Sequence, residues 1–77
     1  MKIKVLLFGM LADAAKQSVM EVENINDTDG LLIKLKDLNT IFCTSKFVIS
    51  VNRKVVTINK AINENDEVAL LPPFAGG

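Results

Sequence analysis

The sequence predicts an α+β fold in which a mixed sheet of four or five strands has one main helix packed on one face. Short β-rich runs stand near both ends of the 77-residue chain, and a segment between them spaces its apolar residues as a helix does. Strands on either side of a single helix give a roll of this class. A chain of this length forms one domain. We place that domain at residues 1–71, with residues 72–77 as an extended, flexible C-terminal tail.

The first two strands are predicted to form an antiparallel pair. Residues 3–8 (IKVLLF) are β-rich and contain no breaker before Gly9, and residues 18–22 alternate between two faces. The connection over residues 10–16 is long for a hairpin, and we expect it to hold a helical turn. Antiparallel pairing is the simpler arrangement across such a connection.

The main helix is predicted to begin at residues 27–29, where Asp27-Thr28-Asp29 supplies an N-cap and an acidic first turn. Apolar residues then recur at i, i+4, i+7 and i+11, which is one face of an α-helix. These residues are Leu31, Leu35, Leu38 and Phe42. Asn39-Thr40 is expected to end the helix.

Three further strands are predicted after the helix, at residues 47–51, 55–56 and 67–71. Residues 52–54 and the polar cluster at residues 63–66 supply the turns between them. The first and last strands carry the densest apolar runs, so we place them side by side in the centre of the sheet. Their connection makes them a parallel pair, which a buried central position permits.

One face of the sheet is predicted to hold an apolar patch that the helix does not cover. Residues 3–8 place apolar side chains on both faces of the first strand, and residues 68–71 repeat this in the last strand. The uncovered face is expected to hold Leu6, Phe8, Leu71 and Val55. Such a patch is typical of a protein-binding surface. The alternative is that loops cover it.

Composition argues against several classes of function. Nine basic residues balance nine acidic ones, so binding to nucleic acid or to a membrane surface has no electrostatic support. There is no His, and the single Cys43 excludes an internal disulfide and a multi-cysteine metal site. We expect Cys43 to be a buried structural thiol. The apolar run at the start is too short for a signal peptide or a membrane span, so a cytoplasmic location is expected.

No grouping of acidic, basic and nucleophilic residues suggests an active site within the chain. Asp27 and Asp29 fit a helix cap better than a pair of metal ligands. The acidic turn at residues 64–67 fits a solvated loop better than a calcium site, which needs a longer spaced set of oxygens. Arg53-Lys54 is interpreted as surface charge that could steer an acidic partner. We therefore expect no metal site, no stably bound cofactor and no catalytic machinery of the chain's own.

The tail Pro72-Pro73-Phe74-Ala75-Gly76-Gly77 carries the strongest functional signal. Its prolines stiffen an extended exit, and its six residues reach about 20 Å. Gly76 and Gly77 have no side chains, so they fit a narrow channel and let a reagent approach the terminal carboxylate. Joining that carboxylate to AMP supplies a good leaving group, and a sulfur nucleophile can then form a thiocarboxylate. The alternative interpretation is a frayed terminus that happens to end in glycine.

These residues resemble the small, sulfur-carrying subunit of molybdopterin synthase, a member of the ubiquitin-like β-grasp group, over nearly the whole chain. Residues 4–9 are similar to its opening strand and residues 51–56 to its central hairpin. Residues 65–77 resemble its most specific motif, an acidic turn, a final strand and a PPxxGG ending. The chain departs from the family at Ala12, where an arginine is frequent, and at Lys16, where a glycine is usual.

The resemblance implies a mechanism for the tail. An ATP-dependent, E1-like enzyme adenylates Gly77, and a sulfur donor converts the adenylate to a thiocarboxylate. The tail then enters the large synthase subunit, where the sulfur passes to cyclic pyranopterin monophosphate and builds the dithiolene of molybdopterin. The partner enzyme consumes the ATP, so the carrier itself needs no stably bound nucleotide.

The resemblance also implies partners and site residues. The family forms a heterotetramer of two large and two small subunits, and its apolar contact surface matches the predicted patch. Gly77 is the attachment site, with Gly76 beside it. The residues expected to bind partners are Leu6, Phe8, Val55, Leu71, Pro72, Pro73, Phe74 and Ala75. Two alternatives stay open: the sulfur carrier of thiamine thiazole synthesis, which generally lacks the proline pair, and a ubiquitin-like modifier that is joined to protein lysines.

Overall fold

The computed structural model of the protein describes residues 2–73. The predictions for Phe74, Ala75, Gly76 and Gly77 therefore lie outside the described residues. In chain order, the elements are β1 (Lys2–Leu7), α1 (Gly9–Ala15), β2 (Val19–Glu23), α2 (Thr28–Leu38), α3 (Ile41–Thr44), β3 (Val48–Val51), β4 (Lys54–Val56) and β5 (Val68–Leu71).

The strands form one five-stranded mixed sheet in the order β2-β1-β5-β3-β4. The central pair, β1 and β5, is parallel, and the other three pairs are antiparallel. The predicted α+β class and the central parallel pair are both confirmed. The strand ends agree with the predicted ends to within one residue; β1, for example, begins at Lys2 and stops before Phe8.

The hydrophobic core lies between one face of this sheet and the helices. Val5, Val68 and Val51 stand in register across the three central strands and are buried. Helix α2 covers this face, since Leu31 and Leu35 belong to the same buried cluster. The strands place an apolar side chain on this face at every second residue, and α2 places Leu31 and Leu35 against it, four residues apart. Both spacings are visible in the sequence.

Helix α2 begins at the predicted cap and is ended, as predicted, by Asn39. The Asp27 carboxylate accepts a hydrogen bond from the Gly30 N–H at 2.8 Å, so Asp27 is the N-cap. That bond, with a second from Asn59, lowers the pKa of Asp27. The helix ends at Leu38, and Asn39 takes an extended conformation with a φ of −158°.

The prediction of one helix face running from Leu31 to Phe42 is wrong. The Asn39 side chain accepts a hydrogen bond from the Ile41 N–H at 3.1 Å, which starts the separate short helix α3. Leu38, the last residue of α2, is exposed to solvent, whereas Phe42 reaches the core from α3. Phe42 there packs edge-on against Phe47, with ring centroids 6.2 Å apart.

The prediction that Cys43 is buried is also wrong. Cys43 lies on α3 directly after the buried Phe42, and its side chain is exposed. A helix of four residues offers little more than one inward position, and Phe42 takes it. The apolar neighbours of Cys43 in sequence therefore do not enclose it.

The connection between β1 and β2 holds the predicted helical turn and extends it to seven residues, as α1. Lys16 ends this helix in the left-handed conformation, with a φ of 61°, and its N–H donates back to the last turn. Glycine is the residue best suited to that position. Lys16 therefore stands at a site where the backbone favours a residue without a side chain.

Candidate functional site

The sheet face opposite the core carries a row of five side chains in register across all five strands, which we call the cross-sheet row. Strand pairing aligns Leu6 with both Val19 and Ala69, and Ser50 with both Ala69 and Val55. Each of these residues neighbours a core residue in its strand, so its side chain points to the opposite face. The row therefore lies on the predicted partner face.

The cross-sheet row contains no charged side chain and is apolar at its exposed positions. Val19 is 45% exposed, Val55 is 54% exposed and Leu6 is half-buried. Ala69 and Ser50 are small and are buried between their larger neighbours. Leu6 and Val55 were predicted to lie here. Val19 was missed, although its alternation with Met20 in β2 placed it on this side.

A second feature, which we call the exit groove, lies where the chain leaves the sheet. It has a volume of about 360 Å³, and its lining residues are Phe8, Gly9, Met10, Leu11, Lys46, Leu71, Pro72 and Pro73. All of these side chains except Lys46 are apolar or absent. The structure thus brings four predicted partner residues together, namely Phe8, Leu71, Pro72 and Pro73, but in a groove rather than on the flat sheet face.

Leu71 connects the exit groove to the cross-sheet row. It follows Ala69 by two residues in β5, so the two side chains point to the same face. It also stands directly opposite Val48 of β3. The predicted single patch is therefore two adjoining surfaces, one along the sheet and one at its end.

Gly9 sets how closely the tail's first residue approaches the domain. Its φ is +63°, and a Cβ added at this position would lie 3.2 Å from Cγ of Pro72. Both the left-handed backbone and the short separation favour glycine. Sequence reasoning treated Gly9 only as a strand breaker, because no local pattern reveals that Pro72, 63 residues later, packs against it.

The far end of β5 is anchored to the β3–β4 turn. The Asn52 N–H donates to the Glu67 carbonyl at 2.7 Å, and the Asn52 side chain accepts from the Glu67 N–H at 2.9 Å. The same side chain donates to Asp66 at 3.0 Å. This network fixes the start of β5, and the strand in turn fixes the direction in which Pro72 and Pro73 leave.

Asp66 is the charged centre of that anchor. Its carboxylate accepts hydrogen bonds from the Asn63 N–H at 2.8 Å and from the Asn52 side chain, and these bonds lower the pKa of Asp66. The predicted polar turn at residues 63–66 is thereby confirmed. Arg53, predicted as surface charge, lies 3.4 Å from Glu67 in an exposed ion pair, which is worth little on its own.

Chemically, this arrangement can bind an apolar partner surface next to the point where the tail leaves the sheet. Within residues 2–73, no group of three or more His, Cys, Asp or Glu side chains lies close enough together to hold a metal ion. Over the same residues, no helix has the length and apolar character needed to cross a membrane. The features that converge are an apolar surface, an apolar groove and a fixed exit for the tail.

Comparison with known proteins agrees with this architecture. The model of the ThiS family matches residues 5–77. No curated protein matches the sequence significantly. Among solved structures, the SAMP1 protein of Haloferax volcanii superposes with a TM-score of 0.80 at 21% identity, covering 100% of both chains.

Two further structures are similar. A putative molybdopterin converting factor subunit 1 from Pyrococcus furiosus has a TM-score of 0.77 at 22% identity, covering 94% of this chain and 97% of its own. A complex of subunits 1 and 2 of the molybdopterin-converting factor from Helicobacter pylori gives 0.58 at 21% identity, with 100% of both chains covered. At these identities the likeness shows the fold, and the predicted ubiquitin-like β-grasp roll is confirmed.

Proposed function

Because the chain belongs to the ThiS family, we propose that it is a sulfur carrier of molybdenum cofactor biosynthesis. The observation that carries the proposal is the way in which β5 passes into the tail. The strand is held at its start by Asn52 and at its end by the contact between Gly9 and Pro72. A domain that fixes where Pro72 and Pro73 leave the sheet is suited to delivering the residues that follow them to other proteins.

The proposed reaction takes place at the carboxylate of Gly77. Attack of a carboxylate oxygen on the α-phosphorus of ATP forms an acyl-adenylate and releases pyrophosphate. Sulfide supplied by a sulfur donor then adds to the acyl carbon and AMP leaves, so that one carboxylate oxygen departs with AMP and sulfur takes its place. Gly76 leaves room on one side of the reacting carbon. The acid–base groups for both steps belong to the partner enzymes, and the carrier is a non-catalytic subunit.

The proposed acceptor is the large subunit of molybdopterin synthase, in a heterotetramer with two copies of each subunit. The similar Helicobacter pylori structure is a complex of subunits 1 and 2 of the molybdopterin-converting factor, which supports a partner of this kind. The cross-sheet row and the exit groove supply the apolar contact surface. Cyclic pyranopterin monophosphate is then the sulfur acceptor, and an E1-like enzyme is the earlier partner.

Two other functions share the same first step. The family's name and the diglycine also suit a sulfur carrier for thiamine thiazole synthesis, although Pro72-Pro73 favours the molybdopterin pathway. The likeness to SAMP1, a small archaeal modifier protein, favours a modifier joined to lysines. All three functions require activation of Gly77, but the two carrier functions then transfer sulfur from Gly77, whereas the modifier function transfers the acyl group of Gly77 to a lysine amine.

The proposal is tested by reconstitution with the large synthase subunit, the activating enzyme, ATP, a sulfur donor and cyclic pyranopterin monophosphate. We expect the full chain to support formation of molybdopterin and the variant lacking Gly77 to support none, with unchanged thermal unfolding of the domain. Molybdopterin formed equally well by the truncated variant would overturn the mechanism. An isopeptide bond between Gly77 and protein lysines, with no molybdopterin, would select the modifier function instead.

A further inference from the structure

The exit groove holds four residues that the sequence pattern did not assign to any partner, namely Gly9, Met10, Leu11 and Lys46, and two of them, Met10 and Lys46, carry the inference that follows. Met10 is 85% exposed, the largest exposed fraction among the large apolar side chains of residues 2–73. Phe8, close to it in the sequence, is 45% exposed. Side chains of this kind, grouped at one place on a small domain, are typical of a surface that another protein covers.

The length of the tail beyond the groove limits how far away that protein can be. Four residues, 74–77, follow Pro73 on the groove rim, and in full extension they span at most about 14 Å. An active site that reaches the carboxylate of Gly77 must therefore lie within that distance of the groove. Because an active site that uses the activated end of Gly77 has to keep water away from its reactive acyl carbon, the protein surface that encloses this site extends to the rim of the groove.

The charge of the groove indicates which side chain a partner would place against it. Lys46 is the one charged residue among the described residues that line the groove, and the other lining residues are apolar. Lys46 also lines a smaller cavity, together with Met10, Leu11, Ala14 and Ser45. Lys46 thus borders apolar surface that a partner would dehydrate. A single cation in such a position is matched by a carboxylate on the partner.

We propose that the exit groove is the seat for the mouth of the large synthase subunit's active-site channel, and that this subunit places a carboxylate against Lys46 and an apolar side chain against Met10. The inference rests on the proposed function, since it assumes that another protein encloses residues 74–77. It gives helix α1 a role in docking, because α1 contributes Met10 and Leu11 to the groove.

The test is the affinity of the full-length chain for the large synthase subunit, measured by isothermal titration calorimetry at low and at moderate salt. We expect Lys46→Glu to weaken binding by about tenfold or more, because it sets two like charges together at the rim. Lys46→Met keeps the apolar stem and is expected to weaken binding less and to reduce its salt dependence. Lys36→Glu, on the exposed side of α2 and outside the groove, is the matched control and should change affinity less than about twofold.

Equal affinities for Lys46→Glu and Lys36→Glu would overturn the inference, and tighter binding of Lys46→Glu would show a cation on the partner and overturn it too. Adenylation of Gly77 by the activating enzyme separates this result from the proposed function. If the wild-type chain is adenylated and Lys46→Glu leaves the KM for the carrier and the affinity for the large subunit unchanged, the inference alone fails. If the wild-type chain is neither adenylated nor bound, the proposed function fails and the inference fails with it.

Discussion

Replacing Gly9 with alanine tests whether the contact between α1 and Pro72 fixes the exit of the tail. At a φ of +63° an alanine occupies the left-handed region, which costs an L-residue about 1–2 kcal/mol. The new Cβ would lie 3.2 Å from Pro72 Cγ, so the proline has to move by a few tenths of an ångström. We expect a loss of stability of about 1–2 kcal/mol, which lowers the Tm of a domain this small by about 4–8 °C for each kcal/mol.

Two companion variants separate the backbone term from the contact. Gly9→Asn keeps the crowding against Pro72 but tolerates the left-handed backbone better, so it should lose less stability than Gly9→Ala. Lys16→Gly relieves a φ of 61° at a residue that does not line the exit groove, and should raise stability by up to about 1 kcal/mol.

The assays are urea unfolding for stability and the rate at which the activating enzyme adenylates the chain, measured well below the Tm of every variant. Both Gly9 variants should be adenylated more slowly than Lys16→Gly and the wild-type chain, because both displace Pro72. A Gly9→Ala variant with wild-type stability, or one that is destabilised but adenylated at the wild-type rate, would refute the reasoning that Gly9 aims the tail.

Three further predictions concern the partner face, the β3–β4 turn and acid stability. Phe8→Lys should weaken binding to the large subunit at least about tenfold, measured by calorimetry, while changing stability by less than about 1 kcal/mol. Ile33→Lys, an exposed control on α2, should leave the affinity unchanged, and equal losses of affinity in the two variants would exclude the groove as a contact. Arg53→Gly should stabilise the fold by about 0.5–1 kcal/mol in urea, because relief of a φ of 68° outweighs an exposed ion pair; a destabilised variant would contradict this. The fold lowers the pKa of Asp27 and Asp66, so their contribution to stability is present above their ordinary pKa of 3.8 and is lost as the pH falls below it. In urea unfolding, Asp66→Asn should therefore lose less stability on acidification than the wild-type chain does. An equal loss in both proteins would contradict a stabilising role for the ionised Asp66.

Much of the fold could be predicted because its signals are local. The Asp27 cap, the helical spacing of Leu31 and Leu35, and the apolar runs of β1 and β5 each act within a few residues. Placing β1 beside β5 needed one further step, that strands apolar on both faces belong in the middle of a sheet. These local preferences agree with the tertiary structure, as expected for a sequence with one stable fold.

The errors came from single side chains that redirect the backbone. Asn39 closes α2 and opens α3 through its own hydrogen bond to the Ile41 N–H, and no periodicity reveals such a bond. Leu38, which the helical repeat assigned to the interior, and Cys43, which its apolar neighbours suggested was buried, are both exposed. A helical repeat describes where side chains would point if the helix continued, and it cannot report where the helix stops.

The sequence indicated several of the residues that line the candidate site, but it did not indicate the shape that they form. Phe8 and Leu71 were named as parts of one flat patch, yet they meet in a groove with Pro72, because β1 ends at Leu7 and the chain turns there into α1. Lys46 joins the groove from a loop 25 residues before Leu71. Contacts across such distances in sequence depend on the completed fold, so the residue pattern alone did not indicate them.

The most direct test of the carrier function is the intact mass of the wild-type chain after incubation with the activating enzyme, ATP and a sulfur donor. We predict a gain equal to the difference between a sulfur atom and an oxygen atom, located by fragmentation at Gly77 and absent when ATP is left out. A chain whose mass does not change, or whose added sulfur lies on Cys43 instead of Gly77, would contradict the account.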